Sequence, residues 1–418
     1  MKRLHAFLDK HEKIRFICKV LKWRFNNKFV KHVNSFSLPV PPVSLRYIKN
    51  DVSYDISIHS EKKGIPRMRN IQMWDLGEKN KGKVVFLMNN RAGHGGFCGL
   101  WIYYLNRLAF SDKMGFYHVM NCVQSDFYQE DHPIHGTRNV FEYYFQQPCG
   151  ISLKSALQSK NVVFDWNNDD YGFNDSFHVG GPVDYTFKNS DIKQFAELQK
   201  KYIKFQPSIE KKLLKQTQRL LGNRKVVAVH ARGTDYKVPY KGHPIAISPE
   251  DYLETAKILA DKIGATHIFL ATDDITILNL FKNDLGDKLI YFNDVIRSEG
   301  TVWNCYVKSD VKNPHFRLGY EIIRDVFAMA SCDGFVCGLS YVSFMVQVLK
   351  KSWDKDFLVF QRLSHGLRKE GLDLTSDKAR AAVRVQWAKE LEIEQKRMEA
   401  RGRGLDPDKI APLMEFTV

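Results

Sequence analysis

The sequence predicts an α/β fold made of two halves, each a doubly wound parallel sheet wrapped by helices. Three observations carry this. Short runs of buried-strand character alternate with helix-period segments along most of the chain. Polar and glycine-rich clusters follow several of those strands, where open parallel sheets collect their ligands. The 418 residues are 44% hydrophobic and 13% aromatic, too apolar for global disorder. At roughly 150 residues per domain the length suits two or three domains.

Residues 2–31 carry Leu4, Leu8, Ile14, Cys18, Leu21 and Phe25 at near-helical spacing among Lys and Arg. Two readings stand for this helix. It lies on anionic lipid with Trp23 and Phe inserted, or it packs on its own domain with a solvated basic face. SLPVPPVS (37–44) is a proline-rich connector. GKVVFLMNN (82–90) reads as a buried strand, RAGHGGFCG (91–99) as a glycine turn, and LWIYYLNRLAFSDKMG (100–115) as a helix. FYHVMNCV (116–123) is the next strand, NVFEYYFQQP (139–148) an aromatic segment closed by proline, and residues 191–221 a helical stretch.

The second series is clearer. RKVVAVHARGTDY (224–236) is a buried strand running into a polar loop. SPEDYLETAKILADKIG (248–264) is a helix with Ser248 as N-cap, Pro249 in its first turn, and Glu250 and Asp251 where the dipole favours acids. ATHIFLATDD (265–274) is a strand, followed by a helix around ITILNLFKNDLG and a short strand KLIYFN (288–293). Residues 319–332 form a helix, 333–340 a strand and its exit loop, 341–351 a helix and 356–361 a last strand. The boundaries expected are a basic helical segment at 1–36, an N-terminal α/β domain at 45–205, a C-terminal domain at 206–362 and a charged helical tail at 363–418. No fixed-period repeat stands out.

Lys and Arg outnumber Asp and Glu by 63 to 47, a surplus of +16 that suits an anionic partner. Residues 1–32 hold ten of the cations and only Asp9 and Glu12 as acids, which is +8, half of the total. The body is therefore only mildly basic. No interleaved aromatic platform or recognition module accompanies the charge, so nucleic acid is not an expected partner. Seven scattered cysteines without a CxxC pair read as reduced core thiols of an intracellular protein. The opening MKRLHAFLDKHEKIRF has no secretory apolar region, and no stretch reaches the roughly 18 apolar residues of a membrane span. The expectation is a cytoplasmic protein, soluble or membrane-associated through residues 1–32.

Four polar clusters sit at predicted strand ends: 91–99, 230–236, 272–274 and 338–343. Arg232 follows a buried strand, where a guanidinium needs an anion, and its rigid fork matches phosphate oxygens. His230 precedes it by two and shares its face on an extended strand. Both serve a ligand, or both cap the sheet edge in structural hydrogen bonds. Arg91, Gly93, His94 and Gly95 either bring N–H groups to a phosphate across the cleft or form a tight structural turn. No Rossmann GxGxxG is present and nothing suggests NAD.

At these residues the chain resembles a known family. HARGTDYKVPYKGHP is similar to the HxRRTDK…HP motif of the alpha-1,6-fucosyltransferases, which include animal core-fucosylation and rhizobial nodulation enzymes. FLATDD resembles that family's LATDDP, and RDVFAMASCDGFVCGLS resembles its LDIHFLSQADFLVCTFSS, in the same order and at similar spacing. GHGGFCGLW is a weaker match to GFGCQLHH. Together these cover most of residues 85–350.

The resemblance implies a GT-B-like fold, two Rossmann-like domains facing across a cleft. It implies an inverting, metal-independent transfer of L-fucose from GDP-fucose to a glycan hydroxyl, with no cofactor beyond the donor. It assigns Arg232 to the donor's β-phosphate and His230 and Asp325 to the guanine nucleotide. Asp273 and Asp274 match the ATDD pair, and Ser340 opens the phosphate-side loop beside Tyr341 and Ser343. The chain also departs from the pattern. Gly233 replaces the second arginine, Tyr341 the second serine, and Tyr240, Lys241 and Gly242 stand where a glutamate base is expected. Asp235 and His243 are then the nearest candidates for a general base, although Asp235 also reads as a turn residue and Asp325 as a solvated helix carboxylate. Two alternatives remain: a GDP-sugar transferase using another hexose, and an inactive glycan- or nucleotide-binding protein.

Overall fold

The computed structural model describes residues 46–52, 71–91, 96–123, 127–166, 185, 188–301, 311–372 and 377–413. The basic segment at 1–36 and the proline-rich connector lie outside these residues.

The first sheet holds β1 (Arg46–Val52), β2 (Ile71–Asp75), β3 (Lys79–Arg91), β4 (Tyr117–Val123) and β5 (Ser159–Trp166) in the order β1-β2-β5-β3-β4. Strands β3 and β4, expected from the sequence, run parallel, and β5, which the sequence pattern does not supply, pairs parallel on the other side of β3. The sheet as a whole is mixed, because β1 and β2 add an antiparallel edge that the sequence reading does not contain. Helix α1 (Phe97–Lys113) joins β3 to β4, and the short helices α2 (Val140–Tyr144) and α3 (Leu153–Ala156) lie between β4 and β5.

The helical stretch at 191–221 is two helices, α4 (Asn189–Tyr202) and α5 (Pro207–Leu221). Pro207 is the cause. It starts α5 well, having no N–H to leave unpaired, but it forces Gln206 out of the helical region. Phe205 then makes a bridge with Phe145.

The second sheet, β6 (Val226–His230), β7 (His267–Ala271), β8 (Leu289–Ile290), β9 (Gly334–Cys337) and β10 (Val359–Arg362), is wholly parallel. Its order, β10-β9-β6-β7-β8, reverses direction between β6 and β9. That gap is the topological switch point at which doubly wound sheets take ligands. Around it lie α6 (Pro249–Ile263), α7 (Ile275–Leu285), α8 (Pro314–Ser331) and α9 (Tyr341–Ser352), followed by α10 (Asp377–Gly402) and α11 (Pro407–Ile410). Helix α6 follows its sequence signals closely: Ser248 Oγ accepts the Asp251 N–H at 3.0 Å, and Gly264 closes the helix at φ +65°.

Strand β6 is buried at every position, as a central parallel strand should be. Its side chains alternate between two cores. Val227 and Val229 join Tyr252, Ala256 and Phe281 under α6 and α7. Val226 and Ala228 face the larger core, which runs without a break into the first half. There Trp101 of α1 packs on Phe145 and Phe205, and its indole donates to Gln199 of α4 at 2.9 Å. Phe195 of α4 meets Phe344 of α9 at 5.7 Å between ring centres. The two sheets thus share one apolar core, and the starts of α1 and α9 are brought together.

All five cysteines in the described residues are free, and four are buried. No helix among them is long and apolar enough to cross a membrane.

Candidate active site

The site grows from three strand exits. After His230 the backbone makes one more ladder bond, Ala231 N–H to the Ala271 carbonyl at 3.1 Å, and then breaks away at Arg232 and Gly233 into a single 3₁₀ turn, Thr234–Lys237. Strand β7 exits through Thr272, Asp273 and Asp274, and Asp274 caps α7 by accepting the Thr276 N–H at 2.8 Å. Strand β9 exits through Gly338 and Leu339 to Ser340, which caps α9 by accepting the Ser343 N–H at 3.0 Å.

Arg232 is held by two carboxylates, Asp235 at 2.8 Å and Asp273 at 2.7 Å. Burial works against its charge, but the two carboxylates outweigh that and hold its basicity above the ordinary arginine value. Asp273 also accepts the Gly233 N–H at 3.0 Å and the Thr234 hydroxyl at 2.8 Å. Burial opposes its charge too, yet Arg232 and these donors hold its carboxyl below the usual range. Asp235 has poorer support: Arg232, its own backbone N–H and a 3.4 Å contact from the Thr234 hydroxyl. Burial pushes its carboxyl up to about 6 against the pull of Arg232. Asp274, fully buried, pairs with Lys237 at 2.5 Å. Two cations thus face three carboxylates in this cluster.

His230 Nδ1 lies 3.2 Å from both the Ser340 and Ser343 hydroxyls, which are 2.8 Å from each other. Burial, with Arg232 nearby, pushes its pKa down to about 3, so the ring is neutral and ties β6 to the start of α9. Tyr341, the first residue of α9, stacks on Tyr185 at 4.9 Å and 19°. His243 packs edge-on against Tyr185 at 5.7 Å and at a tilt against Tyr240 at 5.1 Å. Its Nδ1 is buried without a hydrogen-bond partner, and burial, then Arg232 and Arg368, hold the ring below the usual histidine pKa.

The first half contributes the start of α1. A Cβ built on Gly99 would lie 3.6 Å from the Tyr341 ring, so the N-termini of α1 and α9 are neighbours. Cys98 beside it feels the charges of Arg232 and Asp325, although burial keeps its thiol protonated. Asp325 on α8 makes no hydrogen bond or ion pair among the described residues, while its neighbours Arg324 and Glu321 are paired with Asp294 and Arg317. Burial pushes its carboxyl up to about 7, against Arg324 and Arg297. Asp325 is half-buried.

The structure thus brings His230, Arg232, Asp235, Asp273, Asp274, Ser340, Tyr341 and Ser343 to the three strand exits, with His243 beside them through its contact with Tyr185. Asp325 is linked to the group through the charges it shares with Cys98 and Arg297. Arg91 ends β3, but its side chain, and Gly93, His94 and Gly95, lie outside the described residues. The sequence reading does not contain Tyr185, Thr234, Lys237 or Arg297. Thr234 and Lys237 stand inside the quoted motif and were findable there. Arg297 donates to the carbonyls of Thr272, Phe292 and Val295. Neither it nor Tyr185 has a local signal: what ties each to the site, Thr272 for Arg297 and Tyr341 for Tyr185, is remote in the chain.

Fold and site together define a two-sheet α/β protein with a cluster of charged and polar side chains at the switch point of its second sheet. No protein family matches the chain by sequence profile, and no curated protein matches it in sequence. Solved structures similar to it include NodZ alpha-1,6-fucosyltransferase soaked with GDP-fucose, at 12% identity and TM-score 0.38, covering 64% of this chain and 92% of that one. POFUT1 in complex with GDP-fucose is 13% identical at TM-score 0.42, covering 69% and 99%. Fucosyltransferase NodZ from Bradyrhizobium is 12% identical at TM-score 0.34, covering 64% and 92%. At these scores the similarity is one of broad arrangement and assigns neither a family nor an activity.

Proposed function

We propose that this protein is a glycosyltransferase that moves L-fucose from GDP-fucose to a glycan hydroxyl, with inversion and without a metal. One observation carries the reading most: an arginine at the switch point of a doubly wound sheet, beside the capped N-terminus of α9. Arg232 and the N–H groups at the start of α9 would meet the charge of the departing diphosphate. Asp325, a half-buried carboxyl without a hydrogen-bond or ion-pair partner among the described residues, suits the ring N–H and amino donors of guanine. The acceptor oxygen attacks the anomeric carbon as the bond from that carbon to the β-phosphate oxygen breaks. His243, neutral and with an unpartnered Nδ1, is the better placed of the two candidate bases. Asp235 is committed to Arg232.

A non-catalytic nucleotide-binding role gains support from one fact, that Arg232 is already neutralised by two carboxylates. Turnover separates the two. Purified protein offered GDP-fucose, GDP-mannose and UDP-glucose with a glycan panel should release GDP from GDP-fucose alone, and Arg232→Ala should lose about 10²–10³-fold in rate. Native-rate transfer by Arg232→Ala would sink the phosphate assignment. Intact GDP binding with no turnover of any donor would establish the binding protein instead.

A further inference from the structure

Arg232 poses a problem for any anionic ligand. Its two terminal nitrogens are each engaged by a buried carboxylate, so the cation that should meet a diphosphate sits in a cluster with more negative than positive charge. The two carboxylates are not anchored alike. Asp273 is fixed by the Gly233 N–H, the Thr234 hydroxyl and Arg232 together. Asp235 has Arg232, its own backbone N–H and a weak contact from the Thr234 hydroxyl, so Arg232 is its one strong side-chain partner. It stands on the short 3₁₀ turn, and Arg232 keeps 27% of its side chain exposed, so the pair is not sealed from solvent.

We infer that a diphosphate arriving at the switch point takes Asp235's place on Arg232, and that Asp235 takes up one proton from solvent as it gives that place up. The inference rests on the nucleotide-sugar reading and adds the proton to it. The balance is simple. One Arg–carboxylate pair is exchanged for one Arg–phosphate pair, and the freed carboxylate becomes a neutral carboxylic acid. Left ionised, it would sit 5% exposed beside both Asp273 and the incoming anion.

The groups that face Asp235 agree with this. They are Arg232, Asp273, Tyr236 and Tyr185, and burial keeps both tyrosines protonated. Beyond them His230 and His243 are neutral, and Lys237 is occupied by Asp274. Arg232 is the cation that acts most on Asp235; Arg297 acts on Asp273 and Arg368 on His243, one residue further out. With its carboxyl already pushed up to about 6 in the free protein, Asp235 needs little more to hold a proton at neutral pH. The sign follows. Asp235 is ionised above about pH 6 and must be protonated in the complex, so donor affinity falls by up to about tenfold per pH unit above that point and levels off below it.

The probe is GDP-fucose, whose diphosphate is esterified at both ends and keeps a fixed charge across this range. Calorimetric titration at pH 7.5 in two buffers of different ionisation enthalpy should show about one proton taken up per ligand bound. Asp235→Asn should abolish the uptake, flatten the pH dependence and tighten binding at pH 7.5 by up to about thirtyfold, with its thermal midpoint measured as a check on folding. Binding of GDP-fucose by the wild type without proton uptake overturns the inference even if the variant does not fold. So does an Asp235→Asn protein that folds and binds more weakly. If neither GDP-fucose nor GDP binds the wild type at any pH from 5.5 to 8, the nucleotide-sugar reading itself falls, and this inference with it.

Discussion

Gly233 shows what a single residue decides in this site. A Cβ built there would lie 2.3 Å from the Asp274 Cβ, far inside van der Waals contact, and that atom belongs to a rigid, buried helix cap. The exit of β6 can pass the exit of β7 only because no side chain intervenes, and the same closeness lets the Gly233 N–H reach Asp273. The departure from the arginine pattern is thus built into the packing. Gly233→Ala must displace Asp274 from Thr276 and Lys237, and it should cost about 1–3 kcal/mol in urea unfolding. A stability equal to wild type would show that the two exits can move apart freely.

Among the elements, α9 joins stability to the site most directly. Its cap, Ser340, satisfies an orphan N–H of the helix and touches His230 and Ser343, so one hydroxyl both starts the helix and braces the strand beside Arg232. Ser340→Ala should destabilise the fold by about 1 kcal/mol, the usual value of such a cap, and weaken GDP-fucose binding as well. Ser340→Thr keeps the oxygen and should recover most of the stability. If Ala and Thr behave alike in both measurements, the cap has no part in either.

Across the whole molecule, the C-terminal helix reaches the site through one segment. Arg397, only 1% exposed, pairs with Glu299 at 2.6 Å and donates to the Ala411 carbonyl, and Arg401 joins Glu299 at 2.8 Å. Glu299 in turn offers its backbone carbonyl to Lys237 at 2.8 Å, and the adjacent Ser298 N–H donates to the Asp273 carbonyl at 3.0 Å. The charged tail therefore braces the loop that backs Asp273 and Asp274. Arg397→Ala leaves Glu299 short of its buried partner, and a loss of about 3 kcal/mol is expected in urea unfolding. Weaker GDP-fucose binding should accompany it. Native stability in this variant would make α10 a passive appendage.

Apart from α3 and β5, the order of strands and helices from about residue 80 onward follows from local rules, because apolar periodicity, Ser248, Pro249 and the glycine stops act within a turn or two of themselves. His230, Arg232 and the two aspartates after β7 were legible for the same reason: polar residues ending a buried strand must be meeting something. Local pattern could not reveal the antiparallel edge of the first sheet, since pairing partners are chosen across the molecule. Nor could it show that Arg232 already has two anions, because Asp273 comes from another strand exit and the turn that brings Asp235 back is set by packing at Gly233. Sequence by itself determined which residues carry charge and where each strand releases them. Tertiary structure decided which of those charges meet, because ion pairing acts over a few ångströms between segments that lie about forty residues apart in the chain.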